Sequence, residues 1–175
     1  DGQLYYGKSG FSGEFGHISI FDNDIICKCG KKGCLETEAS GYALIRRVTD
    51  QINDGATSSL TKKFKRLEDI KLNDIIAAAK KDDNLCIEAI NYIGDKLGRG
   101  IASLINIFNP ELIIIGGVVA KSEEYLSLPL KNAVNKYSLS TVNRDTKIIL
   151  SSKNDNLASY GACLLLRDRL LNVTD

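Results

Sequence analysis

The stretch "NPELIIIGG", residues 109 to 117, decides the fold class. Its run "ELIII" is continuously apolar rather than alternating, the pattern of a parallel strand buried on both faces. Asn109 and Pro110 stop whatever helix precedes it, because proline cannot donate to a helical hydrogen bond and restricts the residue before it. Gly116 and Gly117 follow the strand directly. A strand running into paired glycines either brings backbone N–H groups up to a phosphate or simply makes a tight turn, and the pattern lacks the full signature of a phosphate-binding loop.

Upstream of this stretch, residues 84 to 107 read as one long helix, with Ile90, Ile93, Leu97, Ile101, Leu104 and Ile105 along one side. Gly94, Gly98 and Gly100 interrupt it, each at a cost of about 1 kcal/mol against alanine. Such a cost implies a close neighbour, so another helix or strand is expected to cross here; the same small-residue face is a candidate dimer surface. Downstream, "EEYLSLPLKNAVNKYSL" is helical with a break expected near Pro129, "KIILSS" is a second strand, and "LASYGACLLLRDRLL" is a last helix.

Nearer the start, residues 3 to 6 and 18 to 21 have strand-like content and are joined by the glycine-rich "GKSGFSGEFGH". "ASGYALIRRVTDQIND" places Leu44, Ile45, Val48 and Ile52 at helical spacing, and Ser40 can cap it. Residues 53 to 69 read as a polar surface loop whose lysines form a solvated face. "LNDIIAAAKKDD" is a short helix with Asn73 as its cap. The order of elements gives an α/β class, helices packed on a mostly parallel mixed sheet. With 175 residues and 43% hydrophobic content, residues 1–175 are read as a single domain.

The 23 basic side chains nearly cancel the 22 acidic ones, which leaves no overall electrostatic footprint for nucleic acid or an anionic membrane. The apolar runs fall well short of the roughly 18 to 20 residues that span a bilayer. The chain contains no methionine and begins "DGQLYYG", which reads as the end of a hairpin turn, so it is taken as a piece of a longer protein. Its five cysteines are an odd number, which favours a reducing, cytoplasmic setting over a disulfide framework. Cys86 and Cys163 sit in helical patterns and are expected to act as small hydrophobes.

The other three cysteines lie in "GEFGHISIFDNDIICKCGKKGCLE", residues 13 to 36, together with His17, the chain's single histidine. Cys27 and Cys29, two apart, can face one centre, and Gly30 and Gly33 can take the positive φ that returns Cys34 to it. With His17 they make a Cys3His set, the closed ligand set of a structural zinc. The plainer alternative is three reduced cysteines packed in a core. Glu14 and Glu36 flank the cluster. They are either solvated turn residues or carboxylates drawn into one cleft, where ionised acceptors bind sugar hydroxyls well.

Taken together, "SGEFGH", "CKCGKKGCLE", "EAS" and "NPELIIIGG" resemble the ROK family of bacterial sugar kinases and sugar-responsive repressors, over nearly the whole chain. The resemblance implies the C-terminal lobe of an actin-like (ribonuclease H-like) ATPase fold with a zinc knuckle. It implies zinc ligation by His17, Cys27, Cys29 and Cys34, sugar contacts from Glu14, His17 and Glu36, and, in a kinase, nucleotide contacts from Gly116 and Gly117. The kinases' N-terminal D-x-G-x-T motif and catalytic aspartate are not in this chain, and neither is the repressors' helix-turn-helix. No catalytic residue is therefore assigned. Val118 after the glycine pair, where kinases often carry Gly or Ser, and the segment "KYSLSTVNRDTKIILSS" lean towards a NagC/XylR-type transcriptional regulator. The alternative is half of an ATP-dependent glucokinase or N-acetylhexosamine kinase. A homodimer is expected, with DNA contacted only through another domain.

Overall fold

The computed structural model describes residues 4–151 and 157–171. A short helix α1 (Glu36–Ala39) leads into α2 (Gly41–Asn53), a one-turn α3 (Leu60–Lys63), α4 (Leu72–Ala79) and the long α5 (Asn84–Phe108). Strand β1 (Leu112–Ile115) follows, then α6 (Glu123–Tyr137), a short α7 (Ser140–Asn143), β2 (Lys147–Leu150) and α8 (Leu157–Leu171). β1 and β2 pair in parallel, Leu112 opposite Lys147 through Ile115 opposite Leu150, and α6 forms the crossover that parallel pairing requires. Among the described residues these two strands are the whole sheet, so the expected parallel character is present and the larger mixed sheet is not. No described helix is long and apolar enough to cross a membrane.

Local sequence explains where the main helices begin and end. The Ser40 hydroxyl accepts the Ala43 N–H at 3.1 Å and starts α2 as expected. Asp83 starts α5 by accepting the Cys86 N–H at 3.2 Å. Asn109 ends α5 in the left-handed region, φ 43°, with its N–H on the Ile105 carbonyl at 2.9 Å. The cap of α4 is not Asn73, which lies inside the helix; the Asp74 carboxylate reaches back to the Lys71 N–H at 3.1 Å.

The neighbour demanded by the glycines of α5 is α6. A Cβ on Gly94 would stand 2.9 Å from Cγ of Pro129, and one on Gly98 would stand 2.4 Å from the Leu130 carbonyl oxygen. A Cβ on Gly100 would meet Leu35 and Phe15. The small-residue face is thus covered within the chain and is not an open dimer surface. It also explains why α6 does not break at Pro129: the lost hydrogen bond of an interior proline, about 3 kcal/mol, is offset by the ring seating in the notch over Gly94.

Two apolar clusters result. Leu44, Val48, Ile75, Ile90, Ile93 and Leu126 centre the larger, and Ile101, Ile105, Leu130 and Val134 the smaller. Ile113, Ile115 and Ile148 pack the sheet onto these clusters from one side. Ile114 is 61% exposed and Leu112 and Ile149 are also open, so the expectation of a strand buried on both faces fails: helices cover one face only among the described residues.

Three further expectations are corrected. Residues 4–6 and 18–21 are not strands; Ser19 alone forms a bridge, to Cys34, and residue 3 lies outside the described residues. The segment 53–69 is not wholly a surface loop, since Leu60 and Ser58 are buried and the Asp83 carboxylate clamps it. Asp83 accepts from the Ser58 hydroxyl at 2.8 Å and from the Ser59 N–H and hydroxyl at 2.6 Å each. Finally, Cys86 is buried as expected, but Cys163 on α8 is exposed.

Candidate metal and ligand site

The segment from Glu14 to Glu36 folds back on itself through a few backbone hydrogen bonds. Phe15–His17 form a single 3-10 turn. The Leu35 N–H then bonds the Ile18 carbonyl at 2.9 Å, and the Ile20 N–H bonds the Gly33 carbonyl at 3.0 Å. Within the loop the Cys27 N–H reaches the Lys31 carbonyl at 2.8 Å and the Gly30 N–H the Cys27 carbonyl at 2.9 Å, which closes a tight knuckle. Gly30 and Gly33 take φ of +85° and +75°, the conformations anticipated for them. At Gly33 no side chain fits, because a Cβ would stand 2.1 Å from the Phe21 carbonyl oxygen.

This folding brings the four candidate ligands together. One donor atom from each of His17, Cys27, Cys29 and Cys34 lies within 4.8 Å of all the others. Cys27 Sγ is 3.5 Å from His17 Nδ1, and Cys29 Sγ is 3.6 Å from Cys34 Sγ. Three sulfurs and a nitrogen around a tetrahedral ion, at about 2.3 and 2.0 Å from it, stand roughly 3.5–3.8 Å apart. The donor set and its spacing therefore fit a thiophilic tetrahedral ion.

The thiols are not equivalent. Cys34 is fully buried, and burial, followed by the neighbouring Cys29 and Cys27, pushes its thiol up to about 12. Cys29 is exposed, and the backbone amide of Lys31 holds its thiol below the ordinary value. A dication held by these donors would take them as thiolates, because coordination removes the thiol protons.

The same imidazole links the cluster to both glutamates. His17 Nδ1 lies 3.5 Å from Glu36 Oε2, and Nε2 lies 3.6 Å from Glu14 Oε2. Nδ1 is the nitrogen beside the thiols, so Nε2 is left facing Glu14. Glu14, His17 and Glu36 are each partly exposed, at 66%, 35% and 41% of their side chains. They form a row of polar groups open to solvent, able to exchange hydrogen bonds with a ligand's hydroxyls. Gly116 and Gly117 stand at the C-terminal end of β1, Gly117 with φ +87°, and lead into a 3-10 turn (Val118–Ser122) before α6.

One residue that sequence reasoning did not single out is Glu38. It is 8% exposed and accepts from Asn23 Nδ2 at 2.7 Å and from the Tyr92 hydroxyl at 3.2 Å, with the Arg46 guanidinium at 3.8 Å. Arg46 also donates to the Thr37 carbonyl at 2.7 Å. Glu38 thereby ties the loop after the 3-10 turn, α1, α2 and α5 into one frame behind Glu36. Its only sequence signal was the short "EAS" segment, which says nothing about burial.

Comparisons with known proteins give the chain its family and its fold relatives. The model of the ROK family matches residues 1–169. The DNA-binding transcriptional dual regulator NagC of Escherichia coli is 33% identical over 172 residues, 98% of this chain and 41% of that protein. A crystal structure of a ROK family transcriptional regulator, a homolog of the E. coli MLC protein, superposes with a TM-score of 0.76 at 38% identity, over 85% of this chain and 36% of that one. A ROK family glucokinase from Streptomyces griseus, in complex with glucose and AMPPNP, gives a TM-score of 0.82 at 26% identity, over 93% of this chain and 54% of that one. The chain thus spans about half or less of each of these three proteins.

Proposed function

The chain belongs to the ROK family, and from that premise we propose that it is the sugar-sensing lobe of a NagC/XylR-type transcriptional regulator. In this reading residues 1–175 form one lobe of an actin-like ATPase fold, and residues 13–36 are its zinc and sugar-contact segment. The carrying observation is the placement of His17 between two carboxylates, 3.6 Å from Glu14 and 3.5 Å from Glu36, with Cys27 beside it. His17, Cys27, Cys29 and Cys34 hold a structural zinc, which supplies a fixed cross-link closing the knuckle. Glu14, His17 and Glu36 then bind adjacent hydroxyls of a sugar. The sugar's energy of binding is available to shift this lobe against the rest of the protein, which acts as a cytoplasmic homodimer and contacts DNA through another domain.

A second reading is half of an ATP-dependent sugar kinase, of glucokinase or N-acetylhexosamine kinase type, with Gly116 and Gly117 on the nucleotide. The likeness to the glucokinase bound to glucose and AMPPNP supports it. Two features favour the regulator. Val118 follows the glycine pair, and the first turn of α6 carries Glu123 and Glu124, whose charge opposes a phosphate there.

The deciding experiment is calorimetric titration of the full-length protein with N-acetylglucosamine, glucose and xylose, alongside ATP-dependent phosphorylation of the same sugars. The regulator reading expects one sugar to bind, binding to weaken about tenfold or more in Glu14→Gln and Glu36→Gln, and no phosphoryl transfer. Sugar-dependent ATP consumption overturns it in favour of the kinase. Unaltered binding in both variants overturns the site.

A further inference from the structure

Across the face formed by α2, α5, the end of α6 and the loop at Phe21, cations and rings alternate in one continuous series. The Arg47 guanidinium lies 3.6 Å over the Tyr92 ring, and Lys96 Nζ lies 4.9 Å from the same ring. Lys96 and Arg99 each stand 5.3 Å from the Phe21 ring. Arg99 is also 5.3 Å from Tyr137, and Lys136 is 5.1 Å from it. Four positive side chains are thus lined up on a protein whose net charge is +1.

Their countercharge is thin. Among the described residues Lys96 has only its neighbour Asp95, at 4.0 Å. Glu38 is committed to Asn23, Tyr92 and Arg46, and Asp22, next to Phe21, forms no ion pair among the described residues. Arg47 and Arg99 have no carboxylate partner among the described residues. Guanidinium groups held beside rings are restrained in advance, so a carboxylate can pair with them at reduced ordering cost.

We propose that this cation–aromatic ladder is a docking surface for an acidic peptide segment of a partner protein. Along α5, Tyr92 to Arg99 spans about 10 Å, and carboxylates on one face of an extended peptide repeat about every 7 Å. Two or three such carboxylates therefore reach along the ladder and meet Arg47, Lys96 and Arg99 in turn. Nucleic acid suits the surface less well. Each of the three rings already carries two cations, which leaves poor platforms for stacked bases. The proposal is independent of the sugar reading, since no ligand-contact residue of that site belongs to the ladder.

The test is fluorescence anisotropy with a labelled deca-glutamate peptide, with decathymidylate as the competing probe and sedimentation of the protein alone. Saturable peptide binding is expected, weakening about tenfold or more between roughly 50 and 200 mM salt. The double substitution Arg47→Gln with Arg99→Gln is expected to weaken it at least about tenfold, with far-UV circular dichroism and metal content unchanged. Arg47→Lys with Arg99→Lys is expected to retain part of it. Absence of saturable peptide binding overturns the proposal. So does tighter binding of decathymidylate through the same arginines, which makes the face a nucleic-acid surface. A dimer that the double substitution converts to monomers, with peptide binding unchanged, overturns it in favour of a second copy of the chain.

Discussion

Gly30 and Gly33 both take positive φ in the knuckle, yet alanine is expected to act very differently at the two positions. At Gly30, φ +85°, nothing lies within 4 Å of an added Cβ, so the penalty is the left-handed backbone alone, about 1 kcal/mol. At Gly33, φ +75°, the same penalty applies, and the Cβ also stands 2.1 Å from the Phe21 carbonyl oxygen and 2.9 Å from the Ser19 hydroxyl. Relieving that overlap moves Phe21 away. The two N–H bonds that hold Ile20 and Phe21 to the Gly33 carbonyl, at 3.0 and 3.1 Å, are then lost, at about 1 kcal/mol each. With about 1–2 kcal/mol of strain added, the total is roughly 4–5 kcal/mol. With the proposed zinc closing the knuckle, that energy is expected to appear as weaker metal affinity, about a thousandfold for Gly33→Ala against about fivefold for Gly30→Ala. Competition for zinc with a chromophoric chelator measures both. Equal affinities in the two variants, or wild-type affinity in Gly33→Ala, refute the account of the knuckle as a metal-closed turn.

Three further outcomes concern the packing of the helices. Burial works to raise the Asp83 carboxyl, but hydrogen bonds from Ser59, Ser58 and the Cys86 N–H hold it down at about 2. A depressed carboxyl contributes stability above its unfolded value, near 4, and loses it as the pH falls towards 2. Asp83→Asn is therefore expected to be less stable by about 2 kcal/mol at neutral pH. That gap should close between about pH 4 and 2 in urea unfolding; a gap constant over this range contradicts the account. Gly98→Ala is expected to lose about 2 kcal/mol or more, since its Cβ meets the Leu130 carbonyl at 2.4 Å. Gly161→Ala on α8, with open space around it, should gain up to about 1 kcal/mol, and thermal unfolding compares the pair.

Where a signal was local, the sequence carried it through to the structure. Ser40 capping α2, the span of α5, the two strands, and the positive φ of Gly30 and Gly33 depend on neighbours a few residues away. The Cys3His gathering was legible for the same reason, since short spacings and glycines constrain the knuckle. Pro129 was misjudged because its effect depends on Gly94, 35 positions earlier, which supplies the notch for its ring. The turn at Leu60 was missed because a polar composition conceals one buried leucine and the Asp83 clamp beneath it.

By itself, then, the sequence determined which side chains can ligate a metal, where the principal helices begin and end, and the family to which the chain belongs. Only the tertiary structure decided that His17 stands between Glu14 and Glu36, that Glu38 is buried behind them, and that the glycines of α5 receive α6. It also decided that one face of β1 is open and that Arg47, Lys96 and Arg99 line up through three rings. The physical reason is the same in each case. These arrangements join segments distant in sequence, and burial and pairing across such distances are set by how elements pack, which no local pattern of residues encodes.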